Sequence, residues 1–273
     1  MSTVTVTITV RPPACRGPPG APRTAFVLAG GAALGAMQAG MVHALYERGI
    51  VPDLLAGVQV TPDVEPYELM KLRLLNGSHQ AMAYFGYLAG YRLVHEAAQN
   101  PLFQAFLLSY MDKEAMPTLA PVPGVDLEDY KRTLLERLAN HQIRDSIARL
   151  CAESSDRIPK FLLPVIRAQL ATGGEIRRSA AVVASWARYA EATDEQGQPI
   201  EVVDRLAERL MRAAQRQHED PLAFIADQDV FGDLADDERF VAAYTSALAS
   251  LHRRGARATL ESLAWPRREP APP

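Results

Sequence analysis

The chain has 273 residues, 48% of them hydrophobic and 22% charged, and a net charge of −3. This length can bury one large core and leaves room for a small appendage. Twenty-nine basic residues are balanced by 32 acidic ones, so we expect no nucleic-acid partner. No apolar run reaches the ~20 residues that cross a bilayer, so no membrane span is predicted.

The two cysteines, Cys15 and Cys151, lie far apart in the sequence and form no C-x-x-C pair. Neither a disulfide framework nor a metal site is therefore expected. The N-terminus is also a poor signal peptide, because its proline-rich stretch lacks an apolar core followed by small residues. These features together predict a cytoplasmic protein.

Residues 1–23 begin with alternating Thr and Val/Ile and continue as RPPACRGPPGAPR, which contains five prolines. Such a segment cannot bury enough apolar surface to offset the entropy lost on ordering, and we predict a disordered tail. Residues 24–57 predict a β-turn-α-β fragment with a strand over 25–29, a helix over 36–48 and a second strand over 50–56.

A glycine turn, Gly30, Gly31 and Gly35, separates the first strand from the helix. Backbone N–H groups at such a turn favour an anion or an oxyanion. The dinucleotide fingerprint G-x-G-x-x-G fails because Ala32 stands at its second glycine. The phosphate loop fails as well, because Ala36 and Met37 replace its Lys and Ser/Thr.

The stretch FVLAGGAALGAMQAGMVHALYERGIVPDLLAG resembles the start of patatin-like phospholipases. The resemblance implies an oxyanion-like role for Gly30, Gly31 and Gly35. That family also needs a nucleophile in a G-x-S-x-G turn, and this sequence contains none. Without a nucleophile an oxyanion hole has no acyl intermediate to stabilise, so we expect a vestigial turn and no lipid hydrolysis.

Residues 58–265 lack strand periodicity and predict a mainly α, multi-helical domain, which a loose, proline-rich tail, 266–273, follows. Prolines and glycine pairs predict its interruptions, at Pro101, at 117–124, at Pro159, at 173–174 and at 197–199. The predicted helices are 66–97, 101–111, 126–138, 142–152, 160–171, 174–190, 201–217, 220–226 and 238–255.

The first of these helices carries Glu68, Lys71, Asn76 and His79. At 100° per residue these four side chains lie on one side of the helix, within about 140° of one another. The rest of the helix is apolar on several faces, which is typical of a buried helix. Its polar side chains must therefore have partners or line a polar cavity. On spacing alone, a lysine reaching solvent and a core histidine are the favoured explanation of the pattern.

The string VTPDVEPYELMKLRLLNGSHQAMAYFGYLAGY resembles the polyol-specific long-chain dehydrogenase/reductase family of the mannitol-dehydrogenase type. The similarity runs from about residue 57 to residue 263. It implies hydride transfer with NAD between a polyol and a ketose, as between mannitol and fructose. The K-x-x-x-x-N-x-x-H pattern implies Lys71 as general acid/base, with Asn76 and His79 orienting the substrate oxygen. Glu68 is our candidate proton relay.

A second segment, RLCAESSDRIPKF, is similar to the family's R-x-C-x-D-G-S-x-K-x-P-K-F. The resemblance implies substrate binding by Arg149 and by Arg157, the latter replacing a lysine, with a different donor geometry. Glu153 and Ser154 replace the family's Asp-Gly pair. An ordinary solvated helix end is the simpler explanation of both arginines.

In this family a cofactor-binding Rossmann domain precedes the helical one, and residues 1–57 do not resemble it. We therefore expect a domain that lacks its own NAD site, is inactive alone and self-associates through an uncovered apolar face. The alternative is a non-catalytic fusion or remnant that acts as a binding or interaction module. Neither interpretation includes a metal.

Overall fold

The computed structural model describes residues 25–27, 48, 54–56 and 63–265. The chain divides into two units, 1–64 and 65–273. Helices dominate the second unit, which confirms the predicted mainly α class. The predicted tails, residues 1–23 and 266–273, lie outside the described residues.

In the first unit, β1 (Ala25–Val27) and β2 (Leu54–Ala56) pair in parallel. Ala25 lies opposite Leu54 and Val27 opposite Ala56. A parallel pair needs a crossover connection, as a β-turn-α-β fragment supplies. The glycine turn and nearly all of the predicted helix 36–48 lie outside the described residues.

The second unit is built from helices that vary widely in length. In chain order they are α1 (Glu65–Met70), α2 (Gly77–Leu88), α3 (Val94–Gln99), α4 (Pro101–Tyr110), α5 (Leu127–Leu138), α6 (Ile147–Cys151), α7 (Ser154–Phe161), α8 (Leu163–Thr172), α9 (Arg177–Tyr189), α10 (Ala207–Arg216), α11 (Gln228–Phe231) and α12 (Glu238–Ala264).

Two π-helical segments interrupt this regular pattern. The first, Lys71–Asn76, joins α1 to α2, and the second, Met111–Ala115, continues α4. A π-turn adds one residue to a turn and shifts the face on which later side chains point, and it is often found at functional sites. The helix predicted over 66–97 is unbroken through the first segment, and the helix predicted over 101–111 ends where the second begins, so neither π-turn is predicted from the sequence.

The core centres on α2, whose residues are buried on every face except at Tyr87. Trp186 of α9 packs against Tyr84 and, edge-on, against Phe224. Aromatic groups that bury this much area dominate core energetics. The all-round apolar pattern of α2 therefore reflects central burial, as the sequence predicts.

Several predicted helix boundaries are wrong. The first helix ends at Leu88, and Gly90 follows with φ +90. Pro159 is no break but lies inside α7. Residues 220–226 form turns. Helix α12 continues past residue 255, where Gly255 (φ +79) kinks it.

None of the described helices combines the length and apolarity that a membrane crossing requires. Cys151 is buried and unpaired. Large apolar side chains are exposed at a few positions, among them Ile143 and Val203. Self-association through such residues stays a prediction.

Candidate functional site

The first π-segment is fixed by one side chain from another helix and by one of its own. The Tyr110 hydroxyl donates to the Arg73 carbonyl at 3.1 Å. The Arg73 side chain in turn donates to the carbonyl of Thr118. Gly77 follows the segment, and a Cβ there would clash with the Tyr110 hydroxyl. Tyr110 therefore both holds a carbonyl of the wide turn and requires glycine beside it.

Lys71 opens this π-segment and is half-buried. Burial lowers the pKa of the Lys71 ammonium, and the nearby Glu68 carboxylate partly opposes that shift. Glu68 itself is exposed. A lysine with a lowered pKa can hold or release a proton nearer neutral pH, as a general base must.

His79 lies on the first turns of α2 and is 9% exposed. Burial lowers its pKa to about 4, and the charges of Arg149, Lys71 and Arg157 lower it too, against an opposing effect of Asp145. The imidazole is therefore neutral at pH 7. A neutral ring offers one N–H donor and one acceptor to a bound oxygen.

Asn76 ends the π-segment with an unusual feature. Its Oδ1 atom is buried and accepts no hydrogen bond from any of the described residues. A buried acceptor without a partner costs free energy in the ligand-free protein. A ligand that brings a hydroxyl donor would satisfy it.

Arg149 reaches this region from α6. Its Nε donates to Asp145 Oδ1 at 2.6 Å, and its Nη2 pairs with Oδ2 of the same carboxylate. Burial alone would raise the pKa of Asp145, but the Arg149 hydrogen bonds and charge hold it below its usual value. This two-point pair fixes the direction of the guanidinium.

Asp145 is the site residue that the sequence analysis missed. Its charge acts on His79 as well as on Arg149. In the sequence, the i, i+4 spacing of Asp145 and Arg149 could have indicated that the two side chains pair. Nothing in the sequence linked that pair to His79.

Arg157 extends from α7 back toward the end of α6. Its Nη1 donates to the carbonyls of Arg149 at 2.9 Å and Leu150 at 3.2 Å. These are carbonyls at a helix C-terminus, where a cation is favourable. Arg157 therefore supports the segment that carries Arg149. A contact between Arg157 and a ligand would use its other guanidinium N–H groups.

The two positions that depart from the resembled motif, Glu153 and Ser154, both make polar contacts. Glu153 adopts the left-handed conformation, with φ +53. Ser154 is buried, where its hydroxyl lies 2.6 Å from the Tyr84 hydroxyl and donates to the Cys151 carbonyl at 2.7 Å. The Ser154 hydroxyl thus has hydrogen-bond partners in the core.

The two segments with predicted site residues therefore meet in the fold. Lys71, Arg149 and Arg157 all act electrostatically on His79, although about seventy residues separate the segments. Asn76 lies between Lys71 and His79 in the chain and adds a buried acceptor. Glu68 stays exposed at the edge beside Lys71.

The glycine turn of Gly30, Gly31 and Gly35 lies outside the described residues. No finding supports the patatin-like resemblance of residues 24–57.

Comparison with known proteins identifies the class to which this helical unit belongs. A model of the mannitol dehydrogenase C-terminal domain family matches residues 63–252. The chain belongs to that family, as the sequence predicts. The matched range contains every residue of the site described above from Glu68 to Arg157.

Individual relatives give the same result. Mannitol 2-dehydrogenase of Phaeosphaeria nodorum is 44% identical over 213 residues, which are 77% of this chain and 37% of that protein. Mannitol dehydrogenase 2 of Saccharomyces cerevisiae is 40% identical over 220 residues, 80% of this chain and 44% of the relative. This chain thus spans less than half the length of these relatives.

Solved structures agree on the fold. Pseudomonas fluorescens mannitol 2-dehydrogenase, in a ternary complex with NAD and D-mannitol, superimposes with a TM-score of 0.74 at 43% identity. The match covers 76% of this chain and 42% of that one. A D-sorbitol dehydrogenase at 23% identity and a TM-score of 0.69 shares the fold.

Proposed function

We propose that the helical unit binds a polyol or the matching ketose at Lys71, Asn76, His79 and Arg149, and that Lys71 is the acid/base group for their interconversion. One observation carries the proposal. A lysine whose pKa burial lowers and a neutral, buried histidine flank an asparagine whose Oδ1 has no partner among the described residues. Mannitol and fructose are the substrates that the family suggests.

In polyol oxidation the reacting hydroxyl loses its proton while its carbon loses hydride. Neutral Lys71 would accept that proton, and Glu68 would pass it to solvent. The N–H of His79 would donate to the reacting oxygen and stabilise its developing charge. In the reverse direction the Lys71 ammonium returns the proton to the ketose oxygen.

Asn76 and Arg149 would hold the rest of the ligand. A neighbouring hydroxyl of the polyol would donate to Asn76 Oδ1, which removes the cost of its burial. Arg149 is about half exposed and has donors beyond those that pair with Asp145. Those donors can reach further hydroxyls, while Asp145 keeps the guanidinium oriented.

A bound nicotinamide cofactor would supply the hydride acceptor. The glycine turn after β1 departs from the dinucleotide fingerprint, because Ala32 stands at its second glycine. We therefore assign only the substrate-side groups to this chain. We propose that the chain alone does not oxidise polyols and depends on a cofactor-binding domain from elsewhere.

A thermal-shift titration of the full chain with mannitol and with fructose tests the binding. A ligand at a hundredfold excess over its Kd stabilises by about 2.7 kcal/mol, which is a shift of several degrees in Tm. Polyols also stabilise proteins as osmolytes, so sucrose at equal osmolality gives the baseline. We expect Lys71→Met and Arg149→Ala to remove only the part above that baseline.

The matched control is Lys113→Met, since Lys113 is exposed on the second π-segment. It should keep the full shift. If mannitol and fructose raise the Tm no more than sucrose does, the chain is instead the non-catalytic binding or interaction module. Reduction of NAD by the purified chain with mannitol would overturn the proposal that the chain depends on another domain.

A further inference from the structure

A second polar cluster lies on elements that the polyol site does not use. Glu191 follows the end of α9, His218 follows the end of α10, and His252 lies within α12. One ligand-capable atom from each lies within 4.8 Å of the others. His252 Nε2 is 2.7 Å from Glu191 Oε1, and His218 Nε2 is 4.0 Å from Glu191 Oε2.

The carboxylate of this cluster is held in place by neighbours behind it. Arg188 Nη1 lies 3.1 Å from Glu191 Oε2. Gln217 Nε2 donates to Glu191 Oε1, and Tyr244 donates to the Gln217 side-chain oxygen at 3.4 Å. The Glu191 side chain is only 11% exposed. Metal-binding carboxylates are commonly oriented by such outer hydrogen bonds.

The two histidines face solvent more than the carboxylate does. Their rings stack at 4.8 Å between centroids and 28° between planes. Their side chains are 62% exposed at His218 and 24% at His252. Both line a surface cavity of about 680 Å³, so an ion from solvent can reach them.

Two arginines that line the cavity, Arg188 and Arg254, would repel a cation. Arg188 keeps other partners if an ion takes a Glu191 oxygen, because its Nη1 also donates to the Thr193 carbonyl at 2.6 Å. Arg254 donates to the Ala258 carbonyl at 3.1 Å. Glu195, which also lines the cavity, adds a second negative charge. The charges of the side chains around the cluster therefore nearly balance.

We propose that Glu191, His218 and His252 bind one divalent transition-metal ion of the Zn²⁺ type. Two imidazole nitrogens and one carboxylate oxygen suit that class and leave a position for water. Zn–N and Zn–O distances of about 2.0–2.2 Å bring tetrahedral ligand atoms to roughly 3.3 Å from one another. The three ligand atoms now lie up to 4.8 Å apart, and the exposed His218 side chain has the freedom to move closer to the other two. The proposal sets aside the sequence-based expectation of no metal.

The test uses the full chain without a polyhistidine tag, stripped with EDTA and desalted. Zn²⁺ is titrated by calorimetry, and Co²⁺ by the visible absorption of a four-coordinate site. We expect one ion per chain with a micromolar Kd and no binding of Mg²⁺, which prefers oxygen ligands. Absence of Zn²⁺ and Co²⁺ binding at 100 µM protein would overturn the proposal.

Variants show whether these residues are the ligands. His218→Ala and His252→Gln should each weaken Zn²⁺ binding at least tenfold. His141→Ala, which removes an exposed histidine on another loop, should leave binding unchanged. Because His218 is largely exposed, its variant folds even if His252→Gln does not, and circular dichroism checks this. Equal affinity of His218→Ala and His141→Ala would refute the site.

Discussion

The two π-helical segments carry buried polar side chains whose surroundings differ sharply. Glu114 on the second segment is fully buried and accepts from Arg178 N at 2.7 Å, Ser179 N at 2.8 Å and Ser179 Oγ at 2.5 Å. Asn76 on the first segment buries an oxygen that accepts nothing from the described residues. The two π-turns thus differ in whether their buried polar group has hydrogen-bond partners among the described residues.

Glu114 ties the second segment to the first turn of α9, where free N–H groups favour a carboxylate. Burial raises the pKa of Glu114, and the donors from Ser179 and Arg178 counter that rise. A fully bonded polar group of this kind stabilises the fold. An unbonded one costs stability and is retained where a ligand completes it.

The largest loss of stability is expected from Glu114→Ala. It removes the acceptor of two backbone N–H groups and leaves buried Arg178 with Glu175 as its one ion-pair partner among the described residues. Loss of one member of a buried charge cluster costs about 3–5 kcal/mol. Urea denaturation measures it. Exposed Glu136→Ala on α5 is the control, and a loss below about 1 kcal/mol would erase the contrast between the segments.

His79, on α2 directly after the first segment, gives the fold a pH-dependent stability. The unfolded imidazole titrates near 6.5, whereas burial holds the folded pKa at about 4. Between these values only the unfolded chain binds the proton, so stability present above pH 6.5 is lost as pH falls toward 4. The difference is about 3 kcal/mol. His79→Gln should flatten this part of the profile, measured by urea denaturation at several pH values.

The exposed His141→Gln serves as the control for His79, and it should leave the profile as in the parent chain. An unchanged slope in His79→Gln would mean that the buried imidazole is not held neutral.

A smaller loss of stability is expected from Asp145→Asn. Arg149 is nearly half exposed, so the pair contributes about 1 kcal/mol after screening by solvent. Asp145 orients Arg149, so the mannitol-specific thermal shift should fall by about half or more. Asp129→Asn, whose Arg132 pair is exposed on both sides, is the matched control. Full retention of the shift would show that Arg149 needs no orientation.

The smallest change in stability is expected from Asn76→Ala. Its Oδ1 has no hydrogen bond to lose among the described residues, and removal of this unmet acceptor offsets the packing lost with the side chain. The free energy of unfolding should therefore change by less than about 0.5 kcal/mol. The mannitol-specific shift should nevertheless disappear. A large destabilisation with ligand binding intact would reverse the assignment of the first segment as the functional one.

Much of the site was predictable from residue types and resemblance. The apolar stretch around Lys71, Asn76 and His79 indicates a buried helix, and the structure buries α2 in the centre of the core. The segments with Lys71 and Arg149 meet at His79. The π-turn was not predictable, because it depends on Tyr110 holding the Arg73 carbonyl from a different helix.

The sequence by itself determined the helical class and which polar side chains the segment from Lys71 to His79 carries, because helical periodicity and side-chain type are local properties. Tertiary structure alone decided which polar groups are satisfied and which are not. It gave Glu114 its donors on α9, left Asn76 Oδ1 without one and brought Glu191, His218 and His252 together. Hydrogen bonding and ligand geometry depend on distances between segments remote in sequence, and only packing sets those distances.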